Sequence, residues 1–400
     1  MNLKAGYPYS LIKNGLVGNY PKLGKNIRTD VVIMGGGISG ALTAWHLVKN
    51  NIPCIVLDAR TIGLGSTCAS TSLLQYETDV PLFKLAPMIG LKNAARSYWL
   101  CKEAIAKLGS IANKIGFKNF QEKESLYYAA AKKDVGDLKK EFLIRKKQGF
   151  RVRYLEEDIF KKTGLTAPAA ILSADAAQTD AYMFTHHLHQ DGLKKGLRVF
   201  DRTPVVAIDH KTRGVELVTE NGYRVKAKKL VYATGYEVVE YIDKPIVKLK
   251  STYATISEPL PEQGPYWKND RLLWNTADPY LYMRTTPDNR IVVGGRDENF
   301  YSPKKRDQLI VSKTKQLTGD FKKLFPGIDF IPEFTWTGVF GSTKDGLPFI
   351  GPYKKLPNSY FALGFGGNGI VFSLIAAEMI ASQLIGKKNP DAPIFSFDRL

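Results

Sequence analysis

Residues 30–60 read DVVIMGGGISGALTAWHLVKNNIPCIVLDAR, and this stretch decides the fold. Its first apolar run, at 30–34, leads into a glycine-rich turn and then into a mostly apolar segment at 41–49. Asparagines and a proline at 50–53 end that segment, and a second apolar run follows at 54–57. A strand, a turn, a helix and a second strand in this order predict a β-α-β unit with parallel strands.

The turn carries the pattern Gly35-x-Gly37-x-x-Gly40, and Asp58 follows the second predicted strand. The first glycine allows a tight turn, the second lets the backbone approach a pyrophosphate, and the third allows close packing of helix on strand. The start of the helix adds free N–H groups and the positive end of its dipole. Asp58 can accept a hydrogen bond from a ribose 2′-hydroxyl. These features predict a dinucleotide-binding site, with a purely structural glycine turn as the alternative.

The length and composition describe a folded chain of several domains. The 400 residues are 44% hydrophobic, which predicts roughly two or three domains and excludes a disordered chain. The three cysteines lack the spacing of a disulfide framework or of a zinc site. We expect no metal site at His186, His187 and His189 either, because this spacing does not bring three side chains to one helix face.

The chain is strongly basic, with 57 lysines and arginines against 38 acidic residues and a formal net charge of +19. This excess permits nucleic acid, an anionic membrane or an acidic substrate as a partner. The lysines occur in short, scattered clusters, which favours a solvated surface, and we expect no nucleic-acid partner. Residues 1–24 lack the apolar core of a signal peptide, and the apolar run at 369–386 contains Glu378. That run predicts a buried helix, and we expect a cytoplasmic protein without a membrane span.

A second match to the glycine pattern, Gly364-x-Gly366-x-x-Gly369, lies near the C-terminus. A predicted strand precedes it and a predicted helix follows, but no later strand ends in an acidic residue. It is therefore not a second nucleotide-binding unit. It predicts a helix N-terminus directed at an anionic or electron-rich atom, with a packing turn as the alternative.

Three blocks of the sequence resemble the FAD-dependent D-amino-acid oxidase superfamily. They are 31–40 with Asp58-Ala59-Arg60, then Ala233-Thr234-Gly235, and then Thr343-Lys344-Asp345-Gly346-Leu347-Pro348 followed by 364–370. Within the superfamily, the chain resembles glycine oxidase and the γ-glutamylputrescine oxidase-like members.

This resemblance implies an α/β fold with two domains. One is a Rossmann-like FAD-binding domain with a central parallel sheet, and the other is an α+β substrate domain with an antiparallel β-sheet and helices. We expect residues 1–26 to form an irregular leader. The FAD-binding domain would comprise 27–90, 165–245 and 335–400, and the substrate domain 91–164 and 246–334.

The resemblance also implies FAD as the cofactor. The first glycine turn would hold its pyrophosphate, Asp58 its adenosine ribose, and the second glycine cluster the pyrimidine end of the flavin, where a positive helix end would stabilise the reduced, anionic form. No Cys follows Cys101 and His46 belongs to the helix packing, so we expect FAD to be bound non-covalently. The expected FAD-binding residues are Gly35, Gly37, Ile38, Ser39, Gly40, Asp58, Ala59, Arg60, Gly65, Ser66, Thr67, Ser70, Val206, Ala233, Thr234, Gly235, Gly366, Gly367, Asn368, Gly369 and Ile370.

The substrate side departs from the family. Glycine-oxidase-like enzymes clamp the substrate carboxylate with an Arg before Thr-x-Asp-Gly, and Phe340 occupies that position here. Arg284 could grip a distal carboxylate instead, or form an ion pair at the surface or between domains. The lysine that activates oxygen in sarcosine oxidases aligns with Val292, so oxidase and dehydrogenase activity both stay open. The candidate substrate-pocket residues are Tyr253, Tyr282, Arg284, Phe340 and Lys344, and Trp274, Tyr280 and Tyr282 form either an aromatic wall or part of the core.

The reaction that the resemblance implies is oxidation of the C–N bond of an amine or amino acid. A hydride would pass to flavin N5, and the resulting imine would hydrolyse. The partners would be the small-molecule substrate and O2 or another electron acceptor, while the oligomeric state is left open. Two alternatives are a tRNA-modifying flavin enzyme of the same superfamily, which needs a continuous basic face, and a non-catalytic flavoprotein that acts as a binding module.

Overall fold

The computed structural model describes residues 1–156, 159–261 and 266–399. In these residues two β-sheets carry helices on their faces. The strands, in chain order, are β1 (Lys4–Gly6), β2 (Ile27–Met34), β3 (Cys54–Leu57), β4 (Leu73–Leu74), β5 (Gln121–Tyr128), β6 (Val152–Leu155), β7 (Ala170–Gln178), β8 (Arg198–Phe200), β9 (Val205–Lys211), β10 (Gly214–Thr219), β11 (Arg224–Tyr232), β12 (Lys248–Ser257), β13 (Leu272–Asn275), β14 (Tyr282–Thr285), β15 (Ile291–Glu298), β16 (Pro332–Ser342), β17 (Phe349–Pro352) and β18 (Ser359–Leu363).

The helices join these strands and cover the sheets. They are α1 (Tyr9–Asn14), α2 (Ile38–Lys49), α3 (Leu82–Ile89), α4 (Leu91–Lys114), α5 (Val135–Lys147), α6 (Ile159–Thr163), α7 (Ala181–Leu193), α8 (Pro303–Gln308), α9 (Ile310–Leu324) and α10 (Gly369–Leu384). Short 3-10 turns lie between several elements, and the turn at Gly366–Asn368 leads directly into α10.

The first sheet is built around β2. Its order is β17-β18-β11-β2-β3-β8, and the five strands from β18 to β8 are parallel. Val32 and Ile33 of β2 are fully buried, each in a different core cluster, because both faces of the sheet are covered. The predicted β-α-β unit is confirmed as β2, α2 and β3.

The core over one face of this sheet is helical. Residues of α2, α4, α7 and α10 share one cluster of buried side chains with Val31 and Ile33 of β2. Among the described residues, one helical stretch, 366–384, is long and apolar enough to cross a membrane. Of its apolar window 67% is buried inside the protein, which is the pattern of the buried helix predicted there.

The second sheet has the order β1-β16-β12-β15-β14-β13-β5-β7-β4, with β6 beside β7. It is antiparallel except for the β13–β5 pair. Helix α9 packs on one face, where Leu317 and Phe321 meet Met283 and Val293. The opposite face of the central strands contributes to the cavity described below.

Sheet membership differs from the predicted segments at four places. The expected irregular leader is wrong for 4–14, because β1 pairs with Trp336–Gly338 of β16 and α1 follows it. Strands β4 and β7 and most of β16 fall in segments assigned to the FAD-binding domain, yet all three pair within the second sheet. Their long-range partners, which the sequence does not reveal, decide this placement; the domain boundaries themselves stay a prediction.

Candidate active site

A cavity of about 1910 Å³, including its open mouth, is lined by residues of both sheets. The carboxyl ends of β2 and β3 line it on one side, where parallel sheets commonly bind ligands. Strands β12, β14, β15 and β16 of the second sheet line it on the other. The cavity therefore joins the dinucleotide motif to the sheet of the predicted substrate domain.

The glycine turn fits closely against its neighbours. Gly35 has φ +107°, and a Cβ there would lie 2.3 Å from the carbonyl oxygen of Ala233. A Cβ at Gly40 would lie 1.8 Å from the carbonyl oxygen of Gly35, so helix α2 can start beside the strand only with glycine at this position. The Ile38 N–H donates to Thr67 Oγ1 at 3.1 Å, and the next N–H groups of the first turn have no partner within the helix. This end of the cavity is therefore suited to a phosphate.

Asp58 lies at the end of β3, beside the same turn. Its Oδ2 accepts from the Gly36 N–H at 2.6 Å and its Oδ1 from the Arg60 N–H at 2.8 Å. Burial raises the pKa of Asp58 to about 6, although these two hydrogen bonds act in the opposite direction. A carboxylate has further lone pairs, so Asp58 keeps the capacity to accept from a ribose hydroxyl. Arg60 donates to Glu237 Oε2 at 2.9 Å, which lowers the pKa of Glu237 against the effect of its burial.

Two hydroxyl groups in the lining are buried without a partner. Ser66 Oγ and Thr234 Oγ1 make no hydrogen bond with any described residue. Buried polar groups are normally hydrogen-bonded, so these two indicate a place for a polar ligand. With the glycine turn and Asp58 nearby, this end fits the phosphates and ribose of a dinucleotide.

The structure brings most of the predicted FAD-binding residues to this cavity. Those that line it are Gly35, Gly37, Ile38, Ser39, Asp58, Ala59, Arg60, Gly65, Ser66, Thr67, Ser70, Ala233, Thr234, Gly235, Gly366, Gly367, Asn368, Gly369 and Ile370. Gly40 does not line it and acts through packing. Val206, whose backbone the resemblance places against the adenine, does not line it either and is 62% exposed, whereas Thr203 and Val205 do line the cavity.

The second glycine motif lies at the far end of the cavity. Both carboxylate oxygens of Asp79 accept from the Gly367 N–H at 3.1 Å, and Asn368 donates to the Glu77 carbonyl oxygen at 2.6 Å. A Cβ at Gly367 would lie 2.5 Å from the Tyr280 hydroxyl oxygen. The turn is therefore packed tightly around Asp79. Asp79, which no sequence motif indicates, places a carboxylate where only a positive helix end was expected.

The predicted substrate residues do not all meet at this end. Tyr282 and Phe340 line the cavity. Tyr253 lines it too, but its hydroxyl donates to the Arg306 carbonyl oxygen at 3.4 Å and the Lys313 ammonium lies 5.4 Å from its ring centre, on the α8–α9 side. Lys344 is exposed and outside the lining.

Arg284 is buried outside the lining of the cavity. Its Nε donates to the Thr71 carbonyl oxygen at 2.6 Å and its Nη1 to the Thr285 carbonyl oxygen at 3.0 Å. Burial lowers its pKa. Thr71 and the adjacent Ser70 and Ser72 do line the cavity, so Arg284 supports this loop from behind and forms no ion pair with a described residue.

Several lining residues were missed by sequence reasoning. Tyr236, Trp336, Thr252 and Asp297 all face the same space as Tyr282. Tyr280 lines it as well, as the aromatic-wall hypothesis expected, whereas Trp274 stacks on Tyr127 at 3.8 Å within the sheet. Gly294-Gly295 just before Asp297 is the local signal that could have indicated a bulged strand end.

Comparison with known proteins now identifies the family. The family model described as DAO, FAD dependent oxidoreductase, matches residues 30–383. The chain belongs to this family. Its cofactor is therefore FAD, and it is an oxidoreductase.

Curated relatives and solved structures agree with this assignment. Glycine oxidase of Bacillus licheniformis is 25% identical over 91% of this chain and 94% of its own length. γ-Glutamylputrescine oxidoreductase of Escherichia coli K12 is 24% identical over 92% of this chain and 86% of its own length. The crystal structure of L-proline dehydrogenase from P. horikoshii superposes with a TM-score of 0.79 at 20% identity, over 94% of this chain and 97% of that one. The predicted family and the predicted fold class are both confirmed.

Proposed function

We propose that this protein oxidises the C–N bond of an amine or amino acid to an imine, which water then hydrolyses. The observation that carries the proposal is the single cavity that joins the FAD-binding turns to an aromatic pocket on the second sheet. The names of the curated relatives, which describe an amino-acid oxidase and an amine oxidoreductase, support the same reaction class.

The residues of this chain would hold the cofactor along one side of the cavity. The Gly35–Gly37 turn and the start of α2 would bind the pyrophosphate, Asp58 the ribose, and 366–370 the pyrimidine ring. When bound, FAD supplies the oxidant that takes a hydride equivalent from the α-carbon of the substrate. The substrate ammonium first loses a proton to solvent, and the lone pair of the neutral nitrogen then forms the C=N bond as the hydride leaves the α-carbon. No dedicated base among the described residues is required for this step.

The side chains on the second sheet would orient the substrate and exclude water. Tyr280, Tyr282 and Phe340 line that end of the cavity, and Trp336 donates from Nε1 to the Ala69 carbonyl oxygen at 2.8 Å, which joins the sheet to the cofactor loop. These groups would hold the α-carbon in one orientation, which lowers the entropic part of the barrier.

The alternative of a tRNA-modifying enzyme has less support. Among the lining residues that the structure describes, Arg60 is the one cation, and it is bound to Glu237. No lysine lines the cavity in the described part of the chain, and the Lys250 ammonium lies outside the lining, 6.0 Å from the ring centre of Phe340, so the lining itself offers little basic surface for RNA. A cytoplasmic location stays a prediction.

Anaerobic reduction of the purified holoenzyme tests the proposal. The protein is mixed with monoamines, diamines, N-methyl amino acids, D-amino acids and γ-glutamyl amines while the visible FAD spectrum is recorded. We expect at least one of these classes to bleach the flavin and release a carbonyl product. A holoenzyme that no member reduces, although dithionite reduces it, contradicts the proposal and favours a binding module. Admission of air to the reduced protein then separates an oxidase from a dehydrogenase.

A further inference from the structure

A carboxylate with one unpartnered oxygen lines the cavity beside Tyr280 and Tyr282. Asp297 lines the cavity, and its Oδ1 is buried without a hydrogen-bond partner among the described residues. Its two neighbours on β15 have other partners: Arg296 donates to Asp320, and Glu298 accepts from Lys313. A buried carboxylate oxygen without a donor is costly, so it indicates a place for a cationic ligand.

A break in the strand pairing directs Asp297 into the cavity. Gly295 has φ +136° and Arg296 has φ +56°, and the register between β12 and β15 shifts between Ser251 and Tyr253. Such a bulge adds a residue to one strand and changes the face to which the following side chains point. Glu298 therefore packs towards α9, where Lys313 holds it, while Asp297 faces the flavin side.

The surroundings of Asp297 are acidic and aromatic. Burial raises its pKa to about 6, Asp79 and Asp278 act in the same direction, and a hydrogen bond from Thr252 and the charge of Lys250 oppose them. Tyr280 and Tyr282 lie beside it with ring centres 5.7 Å apart. The resemblance places an arginine at the position of Phe340, and Arg284 is held by backbone carbonyls, so no arginine or lysine lines this end among the described residues. The Lys250 ammonium lies outside the lining, 6.0 Å from the ring centre of Phe340.

The reacting nitrogen itself is a poor partner for this carboxylate. An amine must be neutral to release a hydride from its α-carbon, and an adjacent carboxylate favours the charged ammonium form. A second ammonium group, away from the reacting carbon, has no such conflict. It would also gain from the faces of the two tyrosines, which attract cations.

We propose that Asp297 binds a second, non-reacting ammonium group of the substrate, so that the substrate class is diamines and other amines with a cationic far end. This inference rests on the proposed function, because it assumes that an amine is oxidised in this cavity. It makes Asp297 the residue that selects for charge at the far end, with the tyrosines holding the chain between the two nitrogens.

The test compares two matched substrates in two matched variants. The substrates are 1,4-diaminobutane and n-butylamine, which differ in the second amino group, with glycine as a carboxylate-bearing amine. The variants are Asp297→Asn, which removes the charge and keeps the shape, and Glu298→Gln, which makes the same change on the adjacent residue outside the cavity. FAD reduction is followed anaerobically in the holoenzymes, which gives an apparent dissociation constant and a limiting rate.

We expect wild type to prefer 1,4-diaminobutane over n-butylamine and glycine. Asp297→Asn should weaken diaminobutane binding by about 30-fold or more, as for the loss of one partner of a buried charge pair, while n-butylamine binding changes by less than about threefold. The limiting rate should change little, and Glu298→Gln should keep the preference of wild type. Asp297→Glu retains the charge and should still prefer the diamine. It shows that a loss of preference in Asp297→Asn comes from the lost charge and not from a disturbed fold.

Three results would overturn the inference. They are equal losses for the diamine and the monoamine, a fall in limiting rate without a loss of affinity, or a wild type that prefers glycine. In each of these the flavin is still reduced, so the proposed function stands. Only the absence of reduction by every class of amine and amino acid counts against the proposed function.

The pH dependence gives a second readout. The pKa of Asp297 is raised from its ordinary value to about 6, so the carboxyl group is neutral in more acidic solution and charged above that pH. Diamine binding should therefore strengthen as the pH rises through about 6 in wild type. Asp297→Asn should lack this step, whereas a step that persists in the variant would assign the titration to another group.

Discussion

Asp58 and Asp297 are two carboxylates in one cavity with opposite surroundings. Burial raises the pKa of each to about 6. Asp58 accepts from two backbone N–H groups of its own β-α-β unit, whereas Asp297 Oδ1 has no partner among the described residues. The perturbed pKa alone therefore does not distinguish them. Their hydrogen bonds distinguish them: Asp58 belongs to a preformed cofactor end, and Asp297 to a substrate end that needs a cation.

The strongest challenge to the cofactor end is Gly40→Ala. The new Cβ would lie 1.8 Å from the Gly35 carbonyl oxygen, so the turn and helix α2 must separate. We expect FAD affinity to fall by about tenfold or more, equal to ~1.4 kcal/mol, or the protein to lose its fold. The flavin-to-protein absorbance ratio after purification measures this.

Gly319→Ala is the matched control for that change. Gly319 lies inside α9 with no atom within 4 Å of a new Cβ. It should keep full FAD content and gain about 0.5–1 kcal/mol of unfolding free energy. Full FAD content in Gly40→Ala would contradict the packing argument.

Arg284→Met separates loop support from carboxylate recognition. The substitution leaves the Thr71 and Thr285 carbonyl oxygens without their donor, so the free energy of unfolding should fall by about 1–3 kcal/mol. Chemical denaturation measures this free energy. Arg151→Met is the control, because Arg151 forms an exposed ion pair with Asp175, and it should change the free energy of unfolding little. Unchanged stability combined with a specific loss of affinity for carboxylate substrates would restore Arg284 as a clamp.

Thr234→Val tests the unpaired hydroxyl groups at the cofactor end. Removal of the buried Oγ1 should raise the FAD dissociation constant about three- to tenfold, as for the loss of one hydrogen bond to a ligand. Fluorescence titration of the apoprotein with FAD measures it. Thr314→Val removes a hydroxyl that bonds within α9, and its FAD affinity should equal that of wild type.

Lys344→Ala should have the smallest effect. This lysine is exposed and does not line the cavity, although the family resemblance placed it among the substrate candidates. Affinity and limiting rate should stay within about twofold of wild type, as for most surface substitutions. A tenfold loss of amine affinity would show that Lys344 reaches the substrate.

The cofactor end could be predicted because its information is local. The glycine turn, Asp58 and the strands around them lie within 31 consecutive residues, and each residue type has a steric or electrostatic reason at its position. Val206, whose backbone the resemblance places against the adenine, is exposed and outside the lining, whereas Val205 lines the cavity. The backbone contact of Val206 stays a prediction.

The substrate end depends on contacts between distant segments. Asp79 reaches Gly367, Arg284 reaches Thr71, and Asp297 is directed by a bulge whose partner strand is β12. The first two contacts leave no signal in the sequence, and the bulge leaves one weak signal, the Gly294-Gly295 pair. The pairing of β1 with β16, which corrected the irregular leader, is of the same kind.

A crystal structure of the holoenzyme, reduced and soaked anaerobically with 1,4-diaminobutane, tests the central claim most directly. It should show FAD along the Gly35 turn, Asp58 and the second glycine cluster, and one diamine nitrogen within about 3.2 Å of Asp297 Oδ1. The other nitrogen should lie towards the flavin. A diamine bound with neither nitrogen near Asp297, or FAD bound away from the Gly35 turn, would contradict this assignment of the two ends.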